Sequence, residues 1–332
     1  MKIAVVIVNY NSGYLLSKCI NHLLCQSRPA DVIMVVDNAS QDDSLDDLSD
    51  YPKLKICKLE TNEGFAGANN IAFKEMAEAD YFITLNPDAF PEPDFIEKLE
   101  EAARKHPEYS SFAGRMMLDP NTVDGAGDAY HISGLAWRNL HKRHYHPDEH
   151  EAREVFAPCA GAAMYLAKDI CEIGGFDDAF FCYMEDVDLG YRLQLQGKRC
   201  LYVPDANVIH IGSAIVDKYP GFAIYHGHRN IVWVLVKNTP APLLLLAIPA
   251  HLIMSVVLAV VFLARGQIGF YLRAKIDALR GLRRAWTQRK QIQETRHISS
   301  WELLSLYDFG LKRKAKPGSS FFSAMKHADR NR

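Results

Sequence analysis

Three carboxylates follow a run of aromatic and apolar side chains in the segment FFCYMEDVDLGYRL, residues 180–193. They are Glu185, Asp186 and Asp188, and the pattern predicts that they open a helix over residues 185–196, which a glycine ends. Acidic residues in a first helical turn offset the helix dipole by roughly 0.3–1 kcal/mol, which accounts for one or two of them. Apolar walls raise the pKa of a carboxyl group, and a carboxylate at the mouth of an apolar pocket is a suitable general base. Asp186 is the candidate for that base.

A second acid stands apart in TLNPDAFPEPDF, where Asp88 ends a predicted strand directly behind Pro87. Hard cations take oxygen ligands, keep several waters and bind substrate phosphates, so one or two carboxylates suffice to hold them. Asp88 is therefore a candidate metal anchor. His210, which ends the β-rich segment VPDANVIH, is a candidate for a further ligand, although a single histidine at a strand end is more often structural.

Polar residues end three of the strands that the sequence predicts. Short β-branched runs occupy residues 2–10, 31–38, 53–60 and 81–88, and helical periodicity separates the first two and the last two. This alternation predicts right-handed crossovers and a largely parallel sheet, in which ligands bind beyond the carboxyl ends of the strands. The polar ends are Asn9-Tyr10-Asn11, Asp37-Asn38 and Asn86-Pro87-Asp88. Turn formation explains any one of them equally well, whereas all three together indicate a binding crevice.

Composition and charge divide the chain into an acidic front and a basic tail. The 332 residues, 48% of them hydrophobic, suit one large globular domain or two smaller ones. Residues 1–264 carry 22 Lys and Arg against 35 Asp and Glu, whereas residues 265–332 carry 16 against 5. Seven cysteines without a CxxC pair favour reduced thiols over a disulfide framework or a zinc site. The apolar N-terminus predicts a strand and not a signal peptide.

Residues 119–155 form a segment that the sequence predicts to be mostly irregular, and such segments within compact domains are often functional. The segment contains DGAGDAY and the basic, histidine-rich WRNLHKRHYH. The spacing of His141, His144 and His146 fits no zinc pattern, so we expect a solvated loop there.

Seven motifs in order resemble those of the inverting glycosyltransferases of family 2, which have the GT-A fold. They are VIVNYNS, VVDNASQDDS, NEGFAGANN, LNPDA, CAGAAMYLAKD, GGFDDAFFCYMEDVDLGYRL and YVPDANVIHIGS, and they cover about residues 3–213. Each motif alone is weak, but the ordered set is specific. Within the family the chain most resembles the rhamnosyltransferase-like enzymes that build bacterial surface polysaccharides. The resemblance implies an α/β fold with a Rossmann-like, mostly parallel sheet flanked by helices.

The resemblance also assigns roles to individual residues. The nucleotide-sugar donor would contact Asn9, Tyr10, Asn11, Asp37, Asn38, Asn62, Gly64, Asn69 and Asn86. Asp88 and His210 would bind Mg²⁺ or Mn²⁺, and Asp186 would be the catalytic base with Glu185 as its neighbour. The acceptor would meet Phe181, Tyr183 and Arg229. Asn86 replaces the first aspartate of the family's metal-binding DxD motif, which leaves one fewer charge for the metal.

The activity that the resemblance implies is a metal-dependent, inverting transfer of a sugar to a hydroxyl of a lipid-linked saccharide. The first expected donor is dTDP-L-rhamnose, with UDP-hexoses and N-acetylhexosamines as alternatives. We expect a catalytic domain over residues 1–225, a helical membrane-associating region over residues 226–332, and no nucleic-acid partner. Arg229 and His226 are placed to meet a lipid diphosphate, with a solvated arginine at a helix start as the alternative.

The apolar segment 242–264 is long enough to cross a bilayer, and a helical hairpin broken at Pro249 is the soluble alternative. In residues 265–290 apolar side chains recur every three or four positions among basic ones, which is typical of helices on anionic lipid. A single span with a cytoplasmic tail would place the acidic front where nucleotide-activated donors are scarce. We therefore expect a peripheral or monotopic protein on the cytoplasmic face of the inner membrane.

Three other functions fit the sequence less well. A sugar-1-phosphate nucleotidyltransferase needs a glycine-rich, basic loop after the first strand, and VNYNSGYLLSK is neither. A dehydrogenase needs GxGxxG at the same place. A degenerate membrane-anchored module that only binds nucleotide-sugars is the non-enzymatic alternative, and the intact Asp88, Glu185 and Asp186 argue against it.

Overall fold

The computed structural model describes residues 1–46, 48, 53–146, 151–212 and 221–310. Within these residues a mixed sheet of eleven strands is flanked by helices, a separate two-stranded sheet lies beside it, and five helices follow the last strand. The basic residues of 311–332 lie outside the described part of the chain.

The bounds of the elements agree with the strands and helices predicted for the N-terminal half. The strands are β1 (Ile3–Asn9), β2 (Val32–Asp37), β3 (Leu54–Lys58), β4 (Tyr81–Leu85), β5 (Ala89–Pro91), β6 (Tyr109–Asp119), β7 (Thr122–Gly125), β8 (Asp128–Tyr130), β9 (Ala136–Arg138), β10 (Arg143–His144), β11 (Arg153–Val155), β12 (Ala162–Leu166) and β13 (Arg199–His210). The helices are α1 (Tyr14–Leu24), α2 (Gly64–Glu75), α3 (Phe95–Lys105), α4 (Ala167–Glu172), α5 (Glu185–Leu195), α6 (Phe222–Asn238), α7 (Ala241–Ala264), α8 (Ile268–Arg280), α9 (Leu282–Glu294) and α10 (Ser300–Leu306).

The strands β1 to β4 form the parallel part of the sheet, in the order β4-β1-β2-β3. Successive side chains of β1 point to opposite faces, so Ile3, Val5 and Ile7 pack in one core with α1 and α3, while Ala4 and Val6 pack in another with α2. Burial on both faces explains why the strand is apolar throughout. The carboxyl ends of β1, β2 and β4 meet at one edge, as predicted.

The remaining strands make the sheet mixed. β12 lies between β4 and β6 and is antiparallel to both, whereas β13 is parallel to β6. β5 pairs with β13 in antiparallel register, which sets Ala89 opposite His210. This pairing joins two chain segments that are far apart in sequence, and it brings Asp88 to the neighbourhood of His210.

Residues 119–155 are more regular than the sequence predicted. They contain the five short strands β7 to β11, of which β8 and β9 form the separate two-stranded sheet. Each of these strands is only two to four residues long. Runs this short show no measurable periodicity, which is why the sequence pattern indicated irregular structure.

The apolar segment forms a single helix, α7, so the alternative of a hairpin broken at Pro249 is wrong. Of the described helices, α7 alone is long and apolar enough to cross a membrane, judged by length and composition. Its 24 residues extend about 36 Å. Its most exposed apolar side chains are Leu245, Leu246, Leu252, Ile253, Val256, Val260 and Leu263.

The basic amphipathic segment consists of two helices, α8 and α9, which meet at Gly281. A β-carbon at Gly281 would lie 2.4 Å from the indole of Trp233, so only glycine allows α6 to approach this closely. α6 packs on α8 and α9, and its side chains also reach the segment before α5. The proposed domain boundary at residue 225 falls within α6.

Candidate active site

A cavity of about 670 Å³ opens where the strand ends of the parallel sheet face the start of α5. Asp88 and Asp186 both line it, so the candidate metal anchor and the candidate base share one cleft. The sequence-predicted residues that line it are Tyr10, Asn38, Asn62, Gly64, Asn86, Asp88, Phe181, Tyr183, Glu185, Asp186 and His210. The predicted residues Asn9, Asn11, Asp37, Asn69 and Arg229 do not line this cavity.

Asn9 and Asp37 join the ends of β1 and β2 next to the cleft. The Asn9 amide nitrogen donates to Oδ1 of Asp37 and to Oγ of Ser44, each at 2.8 Å, and both Asn9 and Asp37 are buried. Asn11 accepts a hydrogen bond from the backbone of Gln41 at 2.8 Å and holds the loop after β2. These contacts fix the carboxyl ends of β1 and β2 relative to each other.

Asn38 joins the end of β2 to the start of α2. Its amide nitrogen donates to Oδ1 of Asn62 at 2.8 Å, and its own Oδ1 accepts from the backbone of Glu63. Gly64 has φ +72°, and a β-carbon there would lie 2.4 Å from the carbonyl oxygen of Phe181. The end of the cleft next to α2 therefore requires glycine at position 64.

Asn69 faces away from this arrangement. Its amide nitrogen donates to the carbonyl of Phe65 within α2, at 2.8 Å, and its Oδ1 is buried without a hydrogen-bond partner. Its observed contacts are therefore internal to the helix.

Asp88 and His210 lie side by side at the other end of the cleft. Oδ1 of Asp88 is 3.4 Å from Nε2 of His210, and the two residues are 6% and 3% exposed. Nδ1 of His210 donates to Oδ2 of Asp124 at 2.8 Å. Burial lowers the pKa of His210, but hydrogen bonds to Asp124 and Asp88 outweigh it and raise the pKa to about 9. A cation bound at Nε2 of His210 would replace the proton that this nitrogen carries in the protonated ring.

Asp124 is a site residue that the sequence analysis did not single out. Besides His210, its carboxylate bonds Arg138 at 2.5 Å and lies 3.1 Å from Nδ1 of His141. Burial alone would raise the pKa of Asp124, yet these partners hold it well below its usual range. His141 thus has a structural contact rather than the purely solvated position expected. The only sequence signal was that Asp124 precedes Gly125 at the start of DGAGDAY, a pattern that is typical of turns.

Asp186 lies in the first turn of α5. Its Oδ2 accepts from the backbone of Ala160 at 3.2 Å and its Oδ1 from that of Val187 at 2.8 Å. Burial raises the pKa of Asp186 above its ordinary value in spite of these bonds. Glu185 is 5% exposed and its Oε2 has no hydrogen-bond partner; burial, and then the charge of Asp186, raise its pKa well above the usual range.

Asp188, the third acid of the segment, has a structural role. It is fully buried and forms ion pairs at 2.8 Å with Arg192 and with Lys237 of α6. Lys237 also pairs with Asp177 at 2.7 Å. Of the three carboxylates in the first turn of α5, Glu185 and Asp186 therefore line the cleft, and Asp188 joins α5 to α6.

The segment before α5 carries unusual backbone conformations. Phe181, Tyr183 and Met184 all have φ between 65° and 69°, a region that L-residues rarely adopt and that often marks functional sites. We call residues 180–184 the acceptor loop, after the acceptor contacts that the resemblance implies for Phe181 and Tyr183. The amide nitrogen of Asn230 on α6 lies 2.9, 3.0 and 2.7 Å from the carbonyl oxygens of its residues 180, 182 and 183.

Arg229 supports the acceptor loop from behind. Its guanidinium donates to the carbonyls of Ala179 and Phe180 at 3.2 and 2.9 Å and lies over the ring of Trp233. His226 stacks on the ring of Phe181, with 5.3 Å between the ring centres. Both side chains therefore contact protein groups behind the wall of the cleft.

The carboxyl group of Asp128 lies close to Asp186, the candidate base. One ligand atom each of Asp128, Cys159 and Asp186 lies within 4.8 Å of the other two. Asp128 is 5% exposed and its Oδ1 has no hydrogen-bond partner. Burial, and then the charge of Asp186, raise the pKa of Asp128 to about 8. Sequence analysis missed Asp128 because it lies far from Asp186 in the chain.

Comparison with known proteins agrees with this geometry. Residues 4–173 match the family model described as glycosyl transferase family 2. The N-acetylglucosaminyl-diphospho-decaprenol L-rhamnosyltransferase of Mycobacterium tuberculosis is 29% identical over 254 residues, 68% of this chain and 81% of that one. The dTDP-rhamnosyl transferase RfbF of Shigella flexneri is 27% identical over 253 residues, 72% and 81% of the two chains.

A solved structure shares the fold. The crystal structure of GalNAc-T7 with UDP, GalNAc and Mn²⁺ superposes with a TM-score of 0.59 at 20% identity, over 71% of this chain and 48% of that one. At this identity the likeness concerns the fold, which is GT-A as expected. The family model covers more than half of the chain. The chain is therefore a glycosyltransferase that belongs to glycosyl transferase family 2, in its rhamnosyltransferase-like branch.

Proposed function

We propose that the protein transfers a sugar, with inversion, from a nucleotide-sugar to a hydroxyl of a lipid-linked saccharide at the membrane surface. The observation that carries this proposal is the placement of Asp88 and Asp186 on one cavity of about 670 Å³. A cavity of this size suits a small ligand. Asp88 lies where a diphosphate and its cation can bind. Asp186 lies where an incoming hydroxyl can be deprotonated.

Asp88 and His210 fit a divalent cation such as Mg²⁺ or Mn²⁺. A metal-binding histidine usually donates its other ring N–H to a carboxylate, and Asp124 accepts that bond from Nδ1 of His210. Nε2 is then the ring nitrogen that faces Asp88. Two protein ligands are enough where the diphosphate and waters supply the others. When bound, the cation neutralises charge on the departing nucleoside diphosphate.

The residues of the chain account for the remaining chemistry. Asp186 removes the proton of the acceptor hydroxyl while that oxygen attacks the anomeric carbon on the face opposite the diphosphate, so one displacement inverts the configuration. Its raised pKa makes it a better base than a solvated carboxylate, and general-base catalysis contributes about 10²- to 10⁴-fold. Glu185 precedes it in the first turn of α5 and is buried beside it.

The names of the relatives support the choice of donor and acceptor. One relative is a dTDP-rhamnosyl transferase, and the other adds L-rhamnose to a diphospho-decaprenol-linked sugar. We propose L-rhamnose from dTDP-rhamnose as the transferred sugar and a polyprenyl-diphosphate-linked saccharide as the acceptor. Asn38, Asn62 and Gly64 then hold the donor nucleotide, and Phe181 and Tyr183 form the acceptor wall.

The helices after residue 221 support attachment to the cytoplasmic face of the inner membrane. α7 exposes many large apolar side chains, and α8 exposes Leu272, Ile276 and Leu279, each at least half exposed. Arg273 and Arg280 lie on the same helix, 77% and 76% exposed, where they can meet anionic headgroups. Replacing Leu252, Ile253 and Val256 with serine should abolish co-sedimentation with anionic vesicles, whereas the same change at three exposed alanines, Ala77, Ala223 and Ala152, should leave it intact.

A screen of nucleotide-sugars tests the function directly. The purified protein is incubated with dTDP-rhamnose, UDP-hexoses or UDP-N-acetylhexosamines, Mn²⁺ and a polyprenyl-diphosphate-linked N-acetylhexosamine. We expect transfer from dTDP-rhamnose, loss of transfer in Asp186→Asn and Asp88→Asn, and unchanged transfer in the exposed-surface control Glu101→Gln. Transfer that survives Asp186→Asn unchanged would contradict the proposed mechanism.

A further inference from the structure

Asp128 and Asp186 come from different parts of the fold and converge on the cleft. Asp128 begins β8 and is held by backbone hydrogen bonds to Ala157, whereas Asp186 begins α5. Their nearest ligand atoms lie within 4.8 Å of each other, and both side chains line the cavity. Asp128 is 5% exposed, and its Oδ1 has no hydrogen-bond partner. A buried polar atom without a hydrogen-bond partner costs folding free energy. We therefore expect a group of the ligand to supply the partner of Oδ1 of Asp128.

Two carboxyl groups at this separation can both bond one hydroxyl oxygen. An O–H···O bond spans about 2.7 Å, so two such bonds in sequence reach farther than the observed separation. A hydroxyl donates one proton and accepts through its lone pairs. A hydroxyl that bonds both groups therefore requires one carboxyl to be ionised and the other to be protonated.

The surroundings decide which group keeps the proton. Asp186 accepts two backbone N–H bonds, which favour its ionised form. Asp128 has no such bond at Oδ1, and burial followed by the charge of Asp186 raises its pKa to about 8. The other charged groups that bear on it are Arg138 and Asp124, and these two are paired with each other. Glu185 and Cys159 also lie beside Asp186.

We propose that Asp128 is a second acceptor-site residue, which as a neutral acid donates a hydrogen bond to the oxygen of the attacking hydroxyl and turns its proton toward Asp186. The proposal rests on the sugar transfer proposed above. In the reaction step the hydroxyl proton moves to Asp186, the new carbon–oxygen bond forms, and the bond to the diphosphate breaks with its electron pair on the leaving group. Asp128 keeps its own proton throughout and fixes the direction of attack.

The substitutions Asp128→Asn and Asp128→Ala separate this role from its rivals. Asparagine keeps a donor at the same place without a charge, whereas alanine removes it. We measure kcat/KM for the acceptor at saturating donor and Mn²⁺ over about pH 5 to 9, with Glu101→Gln as the surface control. Near pH 6.5 we expect Asp128→Asn to lose less than about 3-fold and Asp128→Ala about 10-fold, the value of one hydrogen bond.

If Asp128 had only a structural role, its substitution would leave the shape of the alkaline part of the pH profile unchanged. This part of the profile therefore tests the proposal. Wild-type activity should fall above about pH 8, where Asp128 ionises, and Asp128→Asn should not show this fall. An alkaline fall that persists in Asp128→Asn, or a loss in Asp128→Asn as large as in Asp128→Ala, overturns the proposal. The latter result is expected if Asp128 acts as an anion, for instance as a ligand of a cation shared with Cys159 and Asp186.

An infrared measurement keeps this inference separate from the proposed function. The protein at pH 7 should show carboxylic-acid C=O absorption from both Asp128 and Glu185, and the Asp128 band should disappear in Asp128→Asn and remain in Glu185→Gln and Glu101→Gln. Absence of that difference overturns the protonated state of Asp128 whatever the activity. If the band is present but no nucleotide-sugar supports transfer, the proposed function fails while the assignment of the proton stands.

Discussion

Nδ1 of His210 donates a hydrogen bond to Oδ2 of Asp124, and the two atoms are 2.8 Å apart. This contact fixes which ring nitrogen faces Asp88. Asp124→Asn should therefore weaken the affinity for the divalent cation and raise the half-saturating Mn²⁺ concentration about 10- to 100-fold. Turnover measured against Mn²⁺ concentration checks this, with Glu101→Gln as control. An unchanged Mn²⁺ requirement would show that Asp124 does not orient a metal ligand.

Glu185 gives a prediction about stability and pH. Its folded-state pKa is raised by burial and by Asp186, so the folded chain holds a proton that the unfolded chain releases above about pH 4.3. The stability of the wild type should fall as the pH rises above that value. Glu185→Gln should make this fall shallower, so that the stability of the variant relative to the wild type is higher at pH 8 than at pH 5. Urea titrations at pH 5 and pH 8 measure both effects, and an unchanged pH dependence would contradict the prediction.

Gly64 and Gly174 form a matched pair for the donor end of the cleft. Both have positive φ, +72° and +83°, but a β-carbon at Gly64 would meet the carbonyl of Phe181 at 2.4 Å, whereas one at Gly174 would meet nothing within 4 Å. Each alanine substitution should cost about 1–3 kcal/mol of backbone strain. Only Gly64→Ala should also abolish thermal stabilisation by the donor nucleotide. Equal nucleotide binding by the two variants would mean that the close approach has no functional role.

Asn230 should be required for the acceptor and not for the donor. Its amide nitrogen has two N–H groups and lies within hydrogen-bonding distance of three carbonyls of the acceptor loop, so Asn230→Ala leaves carbonyl oxygens without a donor at a cost of about 1–3 kcal/mol. We expect a rise in KM for the acceptor and an unchanged thermal shift with the nucleotide. Asn70→Ala is the matched control, because Asn70 donates to the carbonyl of Phe176 before the loop. Similar acceptor kinetics in both variants would contradict the role given to Asn230.

The sequence predicted the parallel part of the sheet and one side of the cleft well. Asn38, Asn62 and Gly64 lie in local motifs, and β1 and β2 are apolar runs separated by the amphipathic helix α1. The polar end of a strand shows which edge it reaches but not what its side chain bonds. Asn9 therefore looked like a donor contact, although its amide is buried against Asp37.

The opposite side of the cleft depends on pairings between distant segments. Asp124 and Asp128 lie in strands of three or four residues, and only the packing of β8 against residue 157 carries Asp128 to Asp186. Arg229 looked exposed at a helix start, but α6 packs on the acceptor loop and turns that side chain inward. Local patterns hold no information about such tertiary contacts.

The placement of α6 has a practical consequence for any handling of the protein. Its side chains Arg229, Asn230 and Lys237 bond the acceptor loop, the residues before it and α5, and the helix packs mainly against α8 and α9. Detergent or truncation that loosens those two helices should affect the proposed acceptor wall first, because the proposed nucleotide pocket is built on β1, β2 and α2. A preparation in which these helices are damaged can therefore still bind nucleotide. Turnover of the acceptor is the assay that tests whether the protein is intact.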